Sequence, residues 1–198
     1  MFWVGPEASQ QTRADADMIL ASLHIPAPEP SASLLTYTDP HRKFTIEYPD
    51  DWTHAEDTLT PHLSSPAEIF AAGTYRLRAG GESCWHFPVN AMEDLGPTDA
   101  LVWIAEARPF GGHYPRPESF PGEPPDQEMD ARYCLQNPDK AYTQWWIAFS
   151  QDGRSFYVLV AMGNDATDER RAETWRILDS FAPEPDPSFS PKAGQPTK

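Results

Sequence analysis

Two cysteines and six histidines are the side chains best suited to chemistry in this sequence. Cys84 and Cys134 permit three readings. They can join as a disulfide closing a loop of about 50 residues, stay as two buried free thiols, or leave Cys84 as a nucleophile beside His86 on one strand face. His24, His41, His54, His62, His86 and His113 are scattered, and no pair has the His-Glu-x-x-His spacing of a zinc helix. Cys84 and His86 would need a distant third ligand to hold zinc, so the histidines are expected at the surface or at strand ends. No metal, no cofactor and no catalytic set is expected.

Flat aromatic side chains are the next candidates, because they stack on sugars or fill a partner's pocket. Tyr142, Trp145 and Trp146 lie together. Neighbours on a strand point to opposite faces, so the two tryptophans cannot form one platform. At least one belongs in the core, and Trp146 is kept as a binding candidate. The segment 108–129 is rich in proline and glycine and carries Phe110, His113, Tyr114, Arg116 and Phe120. A long loop inside a small domain is usually functional or disordered. Phe110, His113, Tyr114 and Arg116 are therefore binding candidates too. The chain has no Gly-x-Ser-x-Gly elbow, no Gly-x-Gly-x-x-Gly turn and no phosphate loop. Its carboxylates cluster in turns such as Asp50 and Asp51, where capping and solubility explain them.

Composition narrows the partners. The chain has 198 residues, 30 acidic against 15 basic, for a formal charge of −15. Such a surface repels phosphate backbones, so nucleic acid is not an expected partner; an unknown protein or small ligand is. Hydrophobic residues at 39% and seven tryptophans supply a real core. No apolar run approaches the roughly 20 residues of a membrane span. The first residues lack the basic and long apolar stretches of a secretory signal, which taken alone implies the cytoplasm.

One repeat organises the N-terminus. Sliding residues 5–23 onto 163–181 without a gap matches Gly5 with Gly163, Ala8 with Ala166, Arg13 with Arg171, Ala14 with Ala172, Ile19 with Ile177, Leu20 with Leu178 and Ser22 with Ser180. About one identity would be expected by chance over such a length. Residues 1–25 thus read as a partial second copy of the domain's last strand and helix, 26–33 as a proline-rich linker, 34–182 as the domain, and 183–198 as a flexible proline-rich tail. A helix this short is marginal alone, so it is expected to dock; docking in the place of its relative gives a domain-swapped homodimer.

Within the domain, Phe44, Ile46 and Tyr48 alternate with polar residues as in a strand buried on one face. The turn at Asp39 and Pro40 makes this an entry hairpin, and Trp52 follows as an anchor. A turn of helix at 66–70, a strand within 69–78, a turn at Gly80 and Gly81, and a short helix over 89–95 come next. Residues 100–107 are apolar on both faces, as in a central strand. Strands over 131–136, 141–150 and 154–161 end the chain as an antiparallel meander, followed by a helix that Asn164, Asp165 or Thr167 can cap, with Ala172, Trp175, Ile177, Leu178 and Phe181 as its apolar stripe. The fold class is α+β, a twisted antiparallel sheet flanked by helices.

The run from Phe44 to Trp52 and the run from Trp175 to Phe181 resemble the two ends of the PsbP-like fold, which implies a sandwich of that kind. Leu59, Thr60 and Pro61, the segment 66–70, the segment 73–77, Cys84, the segment 94–97 and the strand over 156–163 make residues 44–181 similar to a group of actinomycete soluble domains of unknown function. That resemblance implies a membrane-associated or exported parent and transfers no catalytic residue. The expected function is a non-enzymatic binding or interaction module from a tandem-domain parent; the alternative is a hydrolase with its site at the 108–129 loop.

Overall fold

The computed structural model describes residues 33–80, 83–84, 86–108, 114–121 and 142–187. The expectations for residues 1–25, for most of the linker, for the strand over 131–136 and for residues 188–198 lie outside these.

The chain opens with a hairpin, β1 (Leu34–Asp39) and β2 (Phe44–Pro49). Asp39 accepts from the amides of His41 and Arg42, and Lys43 takes a φ of 52°, which together close the turn. After the short β3 (Thr53–His54), β4 (Ala67–Gly73) enters the large sheet as a buried strand beside it. The helical turn expected over 66–70 is therefore a strand: Ala67 to Gly73 pair with the next long strand, with one slip between Glu68 and Phe70. The strand ends at Gly73. Thr74 is pulled aside there, its amide bonding Ala100 O and its hydroxyl Asp99.

A small hairpin, β5 (Ser83–Cys84) and β6 (Phe87–Pro88), leads into α1 (Val89–Asp94), and β7 (Ala100–Ala107) follows. The loop then contributes β8 (Tyr114–Pro115), and the long hairpin of β9 (Tyr142–Gln151) and β10 (Arg154–Gly163) turns on Asp152 and Gly153, both at positive φ as a type I′ turn requires. Helix α2 (Asp168–Ser180) is capped by Thr167, whose side chain accepts from the Arg170 amide, and β11 (Ala182–Pro183) ends the described chain.

These strands form a six-stranded sheet in the order β3-β4-β7-β10-β9-β8, a three-stranded sheet β1-β2-β11, and the β5-β6 pair. The last long hairpin is not laid down as a simple meander, because β10 returns between β7 and β9, and β8 pairs with β9 in parallel. The protein is sheet-rich with few helices, consistent with α+β. Strand β7 faces two cores, as its sequence implies. Ala100, Val102 and Ile104 pack with Phe44, Ile46, Ile177 and Phe181 on one side, whereas Leu101, Trp103 and Ala105 pack with Leu59, Phe87 and Met92 on the other.

The apolar stripe of α2 differs from the expected one. Ala172 is exposed and Trp175 half-buried, while Glu173 and Thr174 are buried beside Ile177 and Leu178. Two polar residues can sit there because Glu173 pairs with Arg170 at 2.8 Å and Thr174 donates to Arg170 O. Residues 183–187, expected to begin a flexible tail, are held to the body: Pro183 is buried, Glu184 N bonds Lys43 O, and Asp186 N bonds Asp152 O. Among the described residues no helix is long and apolar enough to cross a membrane.

Candidate interaction site

Strand β1 pairs on one side with β2 only, so its other side is a sheet edge among the described residues. The register fixes which backbone groups face that edge. Ser180 Oγ accepts from Glu47 N and donates to Glu47 O, so both polar groups of Glu47 point away from β1. Thr36 is the partner of Glu47, and by the alternation of an antiparallel ladder its own N–H and C=O must also point away from β2. Leu34 and Thr38, two residues to either side, face the same way. Ser33 has the opposite phase and accepts from Asp50 N, in agreement with this assignment.

The side chains along this edge are apolar or neutral. Leu34 is 59% exposed and Leu35 45% exposed, and no charged residue interrupts the strand before Asp39. Leu34 forms one wall of a cleft of about 170 Å³ with Pro49, Ile177, Ser180, Glu47 and Arg176. On the opposite face Leu35 lies across from Tyr48, and Tyr37 packs against the His54 ring at 4.5 Å. Burial and the Asp39 charge raise the Tyr37 phenol above its ordinary value.

His54 sits among rings, 5.2 Å from Phe70 and 6.0 Å from Tyr48. Burial lowers its imidazole below the ordinary value, opposed by the Glu56 charge, and burial lowers His86 as well. A histidine lowered in the folded state binds fewer protons there than in the unfolded chain. Its stabilising contribution is therefore present above the unfolded value near 6.5 and is lost as pH falls below it. Thermal unfolding between pH 7.5 and 5 should show the melting temperature falling with acid, and less steeply in His54→Phe. Equal slopes in the two proteins would remove His54 from the account.

The residues singled out in the sequence are not gathered into one place. Tyr114 is 67% exposed on β8, at the far edge of the large sheet. Arg116 is turned inward: its guanidinium donates to Gln151, to Leu178 O and Asp179 O at 2.9 Å each, and to Phe181 O. It caps the carbonyl end of α2, whose last turn has no basic residue of its own, so its donors are spent on structure rather than offered to a ligand. Burial lowers this guanidinium, with Asp179 opposing. Trp146 is half-buried in a group with Phe87, Tyr157 and Trp103, at 5.0, 5.2 and 6.1 Å between ring centres. Trp145 faces the other way and meets Trp175 at 5.1 Å. Phe110 and His113 lie outside the described residues. Cys84 is held in a disulfide, and the chain's only other cysteine, Cys134, is outside the described residues.

Other polar groups that could do chemistry are committed elsewhere. Arg154 donates to Glu106, Arg42 O, Lys43 O and Glu184 O, tying three segments together. Glu68 accepts from four donors inside the protein. Sequence reasoning missed a contact between His62 Nε2 and Ser83 Oγ at 2.5 Å, a base and a hydroxyl within reach of one another. Both are surface residues, and no described group orients the other nitrogen of His62. The signal for the β1 edge was also missed: an uncharged run directly after the linker, with no proline or charge to protect it.

No family model and no curated protein matches this chain.

Proposed function

We propose that this chain is a non-enzymatic interaction module that captures an extended segment of a protein partner along β1. The observation that supports it most is the outward set of N–H and C=O groups on Leu34, Thr36 and Thr38, beside two exposed leucines. Main-chain bonds would supply affinity, and the cleft behind Leu34 would select an apolar side chain. The PsbP-like sandwich and the kinship with the actinomycete domains, carried by the sequence resemblance, are part of the same proposal. The Cys84 disulfide supports an exported or extracytoplasmic parent.

The test is selection from a random peptide library. Selected peptides should alternate apolar and polar residues, and Thr36→Pro should weaken them at least about tenfold by removing one outward N–H. Peptides that bind wild type and Thr36→Pro equally would refute strand capture. The hydrolase reading has the His62 and Ser83 contact in its favour, and turnover of an ester panel that disappears in Ser83→Ala would bring it forward.

A further inference from the structure

The partner's chemistry follows from the edge itself, given the strand-capture reading. We infer that the segment captured by β1 is β1 of a second copy, so that the two three-stranded sheets join across a two-fold axis at Thr36.

Register decides this first. Only residues whose backbone groups face outward can bond across the edge, and these are Leu34, Thr36 and Thr38. An antiparallel approach centred on Thr36 sets Thr36 against itself and Leu34 against Thr38 of the other copy. Each of the three then donates one bond and accepts one. The same register sets Leu35 against Tyr37 of the other copy, an aliphatic and aromatic pair at the closer, non-bonded spacing. Registers centred on Leu35 or Tyr37 pair only two of these three residues with each other, Leu34 with Thr36 or Thr36 with Thr38, and so form a shorter ladder over the uncharged run. The strand is thus complementary to itself in the register that overlaps its uncharged residues most fully, which is what an isologous contact demands.

Charge points the same way. Each copy carries a charge of −15, so two copies repel one another overall. From Leu34 to Thr38 the strand has none, and the carboxylate of Asp39 beyond it is turned back onto the amides of His41 and Arg42. The edge also lacks the lysine, proline or bulge that commonly blocks such pairing. Burying Leu34 and Leu35 removes the two most exposed aliphatic side chains described.

This dimer differs from one made by exchange of the N-terminal repeat, and point variants of the full chain separate the two. Light scattering after size exclusion, over micromolar to submillimolar concentration, should give twice 22.2 kDa for wild type and for Leu20→Asp. Thr36→Pro and Leu35→Lys should give the single mass with unchanged circular dichroism. Because proline could also disturb β1, hydrogen exchange of wild type supplies a second readout: the Leu34, Thr36 and Thr38 amides should slow with concentration while those of Leu35 and Tyr37, bonded to β2, do not. A dimer that survives both β1 variants, or one lost only in Leu20→Asp, overturns the inference. A wild-type monomer that still binds library peptides through β1 overturns the second copy as partner and leaves strand capture standing; a monomer that binds none removes both.

Discussion

Replacing Glu68 with alanine is expected to destabilise the fold by about 4 kcal/mol, lowering the melting temperature by roughly 10 °C. The carboxylate is buried at 9% exposure and collects four donors. Oε1 accepts from Leu59 N at 2.9 Å, and Oε2 accepts from Thr60 N and Thr60 Oγ1 at 2.9 Å and from Trp103 Nε1 at 3.0 Å. One side chain on β4 thus holds the 59–60 segment against the second core and satisfies an indole within it. Alanine leaves those donors without partners where water cannot easily reach them, and an unmade buried bond costs more than a made one contributes. Glu68→Gln separates shape from hydrogen bonding. Its oxygen can serve the three donors at the Oε2 position, which places its NH₂ against the Leu59 amide, and a loss of about 2 kcal/mol is expected. Chemical denaturation of the three proteins checks both values. A Glu68→Ala protein within about 1 kcal/mol of wild type would mean that water replaces the carboxylate.

Glu68 also shows where reading the sequence stops. Its neighbours look like a turn of helix, and a lone carboxylate among apolar residues gives no sign of the amides it serves, because those become adjacent only when β4 pairs with β7. Local signals were legible wherever one element settles them: the alternation in β2, the apolar run of β7, the Asp152 and Gly153 turn, and a cap for α2 among Asn164, Asp165 and Thr167, of which the structure uses Thr167. What depends on distant pairing was not. Arg116 reads as an exposed ligand because its loop is glycine-rich and proline-rich, yet it ends on carbonyls of α2 more than sixty residues away. The interaction edge is the same kind of case. Leu34 is legible as the start of the domain, but its exposure follows from β2 being claimed on its other side by β11 and Ser180.

Gly163→Ala is the second change expected to have a large effect, about 3 kcal/mol of destabilisation. A Cβ at this position would stand 2.1 Å from Pro97 O, 2.3 Å from Pro97 C and 2.5 Å from Gly96 O. All three are backbone atoms, so no side chain can swing away to relieve the overlap. Nor can the backbone move freely, because Gly163 N bonds Asp99 O and Asp165 N bonds Pro97 O on either side of the contact. The strain must therefore be taken up where β10 passes into α2, in the turn that Arg171 braces by donating to the carbonyls of Gly163, Asn164 and Ala166. Gly80→Ala provides the comparison: nothing lies within 4 Å of its Cβ, and only its φ of 75° opposes substitution, for about 1 kcal/mol. Thermal unfolding should rank the two variants in that order, with Gly163→Ala showing at least twice the loss, whereas equal losses would mean that the 96–97 turn yields to the methyl group. The same geometry gives physical content to the repeat. Gly163, Ala166, Arg171, Ile177, Leu178 and Ser180 each contact the body or brace the turn, and each is matched in residues 5–23. By contrast Trp175, half-buried and packed edge-on against Trp145, has Asp17 as its counterpart. Among the buried residues of this end, Ala166, Ile177 and Leu178 are matched by identical residues whereas Glu173, Thr174 and Phe181 stand against Asp15, Ala16 and Leu23, so the repeated sequence keeps the aliphatic contacts of this seat and changes the others.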